Sequence, residues 1–242
     1  MEIGPYLAMT AAEFAGPEDF PAKSAWMACH FSPYSTGLTN LPPALPPGSL
    51  LILNDRVPLW DHDPGRIAAQ MGQTVKSLDC AGVLLDYQRP VTDEAMAMAE
   101  YLVSSLPCPV GVSESYGANL DCPVFLSPCP HHTPLAEHLA PWTGRAVWLD
   151  LAVDGETITL TKDGCVILPL PLGEIPEGGF GDESLHCHYR TETGDDFARF
   201  TLWRTREDLQ ALAREAEELG VKALVGLWQE LHCANTEKHP SR

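Results

Sequence analysis

Asp86 and Gln88 stand two residues apart in the run Gly82-Val83-Leu84-Leu85-Asp86-Tyr87-Gln88-Arg89-Pro90. In an extended segment that spacing puts both side chains on one face, with Leu84 one layer below them. A carboxylate beside a side-chain amide can orient hydroxyl and amide groups of a ligand, but the amide has no proton of the kind a general acid gives up. A second carboxylate, Glu114 in Ser113-Glu114-Ser115-Tyr116, follows the next apolar run. With Asp86 it would form the pair that glycoside hydrolysis needs, retaining at a separation of about 5–5.5 Å and inverting at about 6.5–9.5 Å. The plain alternative is that Glu114 pairs with Arg89 or another rim base. A different chemistry is open to His186-Cys187-His188, where alternation sets two imidazoles on the same side of a strand. His30, Asp55, His131 and His132 are the groups that could join His186 and His188 in a metal-dependent hydrolase. Such spacing also fits surface histidines, so the expected metal and cofactor are none.

These groups need strands and helices to bring them together. Short apolar, β-rich runs recur at Ala25–His30, Leu50–Asn54, Gly82–Gln88, Pro109–Ser113, Pro123–Leu126 and Val147–Val153. Their continuous apolar character is that of parallel strands covered on both faces. Helical signals lie between them. Asp63-Pro64 reads as a cap and first helical residue, followed by Ile67, Met71, Val75 and Leu78 at helical spacing. Thr92-Asp93-Glu94 opens a helix reaching about Leu106, and Thr205 opens another with Leu209, Leu212, Ala213, Ala216 and Leu219 on one face before Gly220. A strand at Ala223–Trp228 follows. The fold class expected is therefore α/β, a (β/α)8 TIM-type barrel in a single domain over 1–242, a size usual for such barrels.

Residues 153–204 break the alternation. Asp154-Gly155 and Asp163-Gly164 flank runs such as Thr157-Ile158-Thr159-Leu160, which predicts antiparallel hairpins in a small β insertion before the last strand. Pro169 to Gly181 is expected as a mobile loop, and Gly178-Gly179-Phe180-Gly181 lacks the Gly-Lys-Ser/Thr of a phosphate loop. Leu41–Gly48, with Pro42, Pro43, Pro46 and Pro47, reads as a stiff connector, and 235–242 as a disordered tail.

The chain carries 15 Lys plus Arg against 33 Asp plus Glu, a net charge of −18, which argues against nucleic acid and anionic membranes as partners. No run is apolar and long enough to span a membrane, and the first residues lack the basic and apolar regions of a signal peptide. With eight cysteines and no Cys-x-x-Cys spacing, reduced thiols and a cytoplasmic location are expected. The oligomeric state is not set by these features.

The run from Gly82 to Pro90 resembles the fourth-strand motif of chitinase-like barrels, glycoside hydrolase family 18, whose pattern is Asp-Gly-x-Asp-x-Asp-Trp-Glu-Tyr-Pro. Gly82, Asp86 and Pro90 match, Tyr87 stands for the Trp, Ala81 and Leu84 replace two Asp, and Gln88 replaces the catalytic Glu. An insertion before the last strand, the closing helix and Trp228 at the end of Ala223–Trp228 are also similar to that family, whereas a Met-x-Tyr-Asp strand has no counterpart. The resemblance implies a ligand site at the carboxyl ends of the strands. There His30, Asn54, Asp55, Asp150 and Glu230 are the polar candidates beside Asp86, Gln88 and Glu114, and Tyr87, Trp148 and Trp228 the aromatic sugar platforms. It also implies a small-molecule or oligosaccharide ligand, a neutral amino sugar, bound by a catalytically impaired barrel. An active hydrolase using Glu114 and Asp86, the metal-dependent hydrolase, and a purely structural or partner-binding barrel remain the alternatives.

Overall fold

The computed structural model describes residues 5–14, 21, 23–170, 174–176 and 178–232. The chain divides into two compact units, Met1–Ser127 with Gly144–Asp150 and Val221–Arg242, and Pro128–Thr143 with Leu151–Gly220.

The first unit is a closed barrel of eight parallel strands with helices between them. Its strands are β1 (Tyr6–Met9), β2 (Ser24–Phe31), β4 (Leu50–Asn54), β5 (Gly82–Asp86), β6 (Val110–Ser113), β7 (Val124–Leu126), β8 (Val147–Leu151) and β14 (Ala223–Leu227). They neighbour one another in that order and β14 pairs back onto β1. Gly82–Asp86 is thus the fourth barrel strand, as the resemblance requires. A short antiparallel β3 (Leu38–Thr39) adds to the end of β2.

Local signals place the helices. In α2 (Pro64–Ser77) the Asp63 carboxylate accepts from the Gly65 N–H and Pro64 opens the first turn, while Ile67, Met71 and Val75 are buried. In α3 (Asp93–Ser105) Thr92 accepts from the Ala95 N–H. Short turns α1 (Ala11–Phe14), α4 (Glu114–Gly117) and α7 (Trp228–His232) follow β1, β6 and β14. Trp228 therefore opens a helix rather than closing the last strand.

Strand alternation sorts the apolar residues into two cores. Met71, Val83, Leu85, Leu102 and Val112 fill the layer between strands and helices, and Ala8, Ala25, Leu50, Ile52, Leu84, Phe125, Trp148, Ala223 and Val225 fill the barrel interior. The interior mixes small residues with one very large one. A Cβ on Gly111 would stand 2.4 Å from Cε3 of Trp148, and one on Gly82 would stand 3.3 Å from its Cη2. Those glycines make the room the indole occupies.

The second unit is built on an antiparallel sheet of β9 (Gly155–Thr161), β10 (Gly164–Leu170), β11 (Phe180–Asp182), β12 (Cys187–Thr193) and β13 (Phe197–Trp203), in the order β10-β9-β13-β12-β11. With it go α5 (Leu135–Leu139) and α6 (Arg206–Glu218), the latter opened by a reciprocal capping box between Thr205 and Asp208. Arg204 is buried, and its guanidinium donates to the carbonyl oxygens of Cys129, Pro130, Leu185 and His186.

Two expectations for this region are corrected. Lys162-Asp163 does turn β9 into β10, but Asp154-Gly155 is no hairpin turn, because β9 pairs with β10 and β13 and not with the preceding strand. Gly155 is small because a Cβ there would meet the Leu202 carbonyl oxygen at 2.8 Å. The glycine-rich stretch expected as a loop contains strand β11, and Gly179, at φ +117, lies where a Cβ would come within 2.6 Å of the Trp203 ring. Residues 171–173, 177 and the tail at 235–242 lie outside the described residues.

Candidate functional site

Because Leu84, Ile52, Trp148 and Phe125 point into the barrel, the residues two positions later, Asp86, Asn54, Asp150 and Ser127, form the next layer at the carboxyl mouth. Asn54 and Asp86 are direct neighbours on adjacent strands. Gln88 folds back over Asp86, its Nε2 standing 3.3 Å from both carboxylate oxygens. Burial raises the Asp86 carboxyl above its ordinary range; the hydrogen bond from Gln88 opposes the rise and the charge on Asp55 adds to it. The pair is therefore a half-buried carboxylate with an amide donor already aimed at it.

Asp55 has a different part. It is buried, its two carboxylate oxygens accept the backbone N–H groups of Gln88 (3.0 Å) and Arg89 (2.8 Å), and the Arg89 guanidinium donates to the carbonyls of Asp55 and Arg56. Both of its carboxylate oxygens brace the segment after β5, which gives Asp55 a positioning role. Ser113 braces the same segment from the other side, accepting from the Tyr87 N–H at 2.9 Å and donating to the Leu85 carbonyl at 3.1 Å. Tyr116 completes the clamp by donating to the carbonyls of Arg89 and Pro90. Sequence reading passed over Ser113 and Tyr116, although both lie in the Ser113-Glu114-Ser115-Tyr116 segment singled out for its carboxylate.

The remaining candidates separate. Glu114 begins α4, one strand beyond Asp86, and accepts from the Ser127 hydroxyl at 3.2 Å. Asn54 donates to the Met27 carbonyl and accepts from the Arg56 N–H. His30 places Nδ1 2.9 Å from the Phe31 carbonyl oxygen and Nε2 3.2 Å from the side-chain amide nitrogen of Asn40. Asp150, Trp228 and Glu230 are all half-buried.

Two aromatic expectations are corrected. Tyr87 is buried, packed edge-on against Tyr116 and tilted on Phe31, and Trp148 fills the barrel interior, so neither presents a ring face to a sugar. Alternation sends Tyr87 outward to the helices while Asp86 goes inward. The paired imidazoles are corrected as well. His186 sits in a turn at φ +45 and meets Glu215 at 2.5 Å, while His188 meets Asp208 at 2.7 Å, two turns earlier on α6. Within the same unit, His131 bonds Asp154 and His132 bonds Glu156. Among the described residues no three His, Cys, Asp or Glu side chains are grouped to hold a metal ion.

No family model and no curated protein matches the chain. Solved structures do. The class V chitinase from Nicotiana tobaccum superposes with a TM-score of 0.56 over 92% of this chain and 92% of that one, at 10% identity. The fold is that of the chitinase barrels. A GH18 chitinase mutant from Cycas revoluta in complex with (GlcNAc)4 gives 0.54 at 12% identity, covering 92% of this chain and 94% of its own. The spore cortex-lytic enzyme SleL of Bacillus cereus gives 0.54 at 7% identity, with 93% of this chain and 70% of that one covered. Among the described residues no helix is long and apolar enough to cross a membrane.

Proposed function

We propose that the carboxyl mouth of this chitinase-like barrel binds a neutral amino-sugar oligosaccharide, of chitin or peptidoglycan-fragment type, and does not cleave it by the proton-donor route. The observation that carries this reading is the contact of the Gln88 amide with both oxygens of Asp86 at the end of the fourth strand. Asp86 offers the acceptor that an acetamide N–H would use, and Gln88 offers amide and carbonyl groups suited to hydroxyls. The Gln88 amide, where the resembled motif has its acid, gives no proton to a departing glycosidic oxygen. Trp228, at the first turn of α7, supplies the ring on which a sugar would stack. The net charge of −18 disfavours phosphorylated ligands and nucleic acid. We place the protein in the cytoplasm, since the seven described cysteines are all free thiols.

Calorimetry with an N-acetylglucosamine tetramer tests the binding. The parent should bind it, and Trp228→Ala should weaken binding about tenfold while leaving the fold intact, the loss of one stacking ring. No binding by the parent at about 1 mM would leave the structural barrel reading ahead. Gln88→Glu tests the chemistry by restoring a carboxyl beside Asp86, where two close carboxylates share a proton. It should raise hydrolysis of a chromogenic amino-sugar glycoside above the parent's, with Leu84 limiting the gain.

A further inference from the structure

We propose that β10 is the strand through which two copies of this chain pair, edge to edge, about a two-fold axis. β10 is the end strand of the second unit's sheet, and among the described residues no strand pairs with its outer side. It is also a lightly guarded edge. From Gly164 to Leu170 it carries no charged residue, and Val166, Ile167 and Leu168 are 54%, 48% and 59% exposed. Edge strands are normally blunted by charge, proline, shortness or a bulge. Of these devices the seven residues in unbroken register with β9 carry only Pro169, one residue from the strand's end.

The hydrogen-bonding pattern says what fits the edge. The two-residue turn makes Thr161 and Gly164 a bonded pair, so Gly164, Val166, Leu168 and Leu170 bond to β9, while Cys165, Ile167 and Pro169 turn their backbone groups outward. Pro169 is consistent with that phase, because it needs no N–H toward β9. The outer edge therefore offers two donors, the N–H groups of Cys165 and Ile167, and their two carbonyls. An antiparallel second copy centred on Val166 matches them completely: Cys165 of each copy exchanges both bonds with Ile167 of the other, four in all. A register centred on Ile167 would set the Cys165 carbonyl against Pro169, which has no N–H to give. In the favoured register Val166 stands opposite Val166, and Cys165 of each copy lies beside Ile167 of the other.

Charge also selects the occupant. A chain with a net charge of −18 repels its own copies, and an uncharged strand is where that repulsion is least. A basic peptide would find no carboxylate along β10 to hold it. The exposed side chains fall short of the about 800 Å² per partner of a standard interface, so the dimer should be weak, with Kd on the order of micromolar, and two-fold pairing closes it at two copies.

Sedimentation velocity on the full chain at low and at 0.5 M salt, about 1–100 µM protein, tests this. Reversible monomer–dimer exchange that tightens with salt is expected. Ile167→Lys should weaken it on the order of a hundredfold while circular dichroism stays that of the parent. In a Cys165→Ser background, Val166→Cys should form a reducible intermolecular disulfide under mild oxidation, because opposed residues of a non-bonded antiparallel pair lie about 4.5 Å apart at Cα. A parent that stays monomeric at both salts, a dimer indifferent to Ile167→Lys, open-ended aggregation, or no more cross-linking than Cys165→Ser alone would overturn the proposal.

Discussion

Replacing Gly111 with alanine should show how the barrel interior is filled, and hence that Trp148 is packing rather than a ligand platform. The new Cβ would lie 2.4, 2.7 and 2.9 Å from Cε3, Cζ3 and Cδ2 of the indole. Carbon atoms rest about 3.5–4.0 Å apart, so ring and strand must separate by about 1 Å in a space already closed by Phe125, Leu84 and Ile52. Overpacking of that kind costs about 1–3 kcal/mol, against which the stiffer unfolded chain returns about 0.4–1 kcal/mol. Trp148→Leu alone should cost about 2–4 kcal/mol through the cavity it leaves. In the double variant the alanine methyl enters that cavity, so the combined loss should fall short of the sum by about 1–2 kcal/mol. Guanidinium unfolding followed by far-ultraviolet circular dichroism and by tryptophan fluorescence measures all four proteins and reports whether the two units melt together. Gly111→Ala within about 0.5 kcal/mol of the parent, or losses that add within that margin, would refute the packing argument.

Three further outcomes are expected. Because the Asp86 carboxyl is raised in the folded state, folding favours its protonated form; its ionisation subtracts from stability as pH rises through the carboxylate range, so Asp86→Asn should raise neutral-pH stability by about 0.5–2 kcal/mol and flatten the acid side of a stability–pH curve. The Tyr87 hydroxyl is buried without a hydrogen-bond partner among the described residues, so Tyr87→Phe should leave stability unchanged or raise it by about 1 kcal/mol in urea titrations; a loss above about 1 kcal/mol would show that the hydroxyl is satisfied. Arg204→Met should cost at least about 3 kcal/mol, since four carbonyls lose one charged donor, and proteolysis should then open the second unit first.

Much of the fold was legible because its signals are local. The caps at Asp63, Thr92 and Thr205, the Pro64 helix start and the continuous apolar runs act within one turn or one strand. Together they placed the helices and the fourth strand, with Asp86 at its end, within a few residues. The inserted sheet announced itself through Asp163-Gly164 and alternation in the same way.

What the sequence by itself determined is the order of elements and the inward face of β5, since alternation is a property of the extended chain. Tertiary structure alone decided what each side chain then met. Asp55 became a brace because the segment after β5 passes over it, Trp148 became interior packing because Gly111 and Gly82 lie across the barrel from it, and His186 and His188 were drawn to separate carboxylates on α6. Those outcomes depend on strand order and sheet curvature, which join residues tens of positions apart. No spacing along the chain records them.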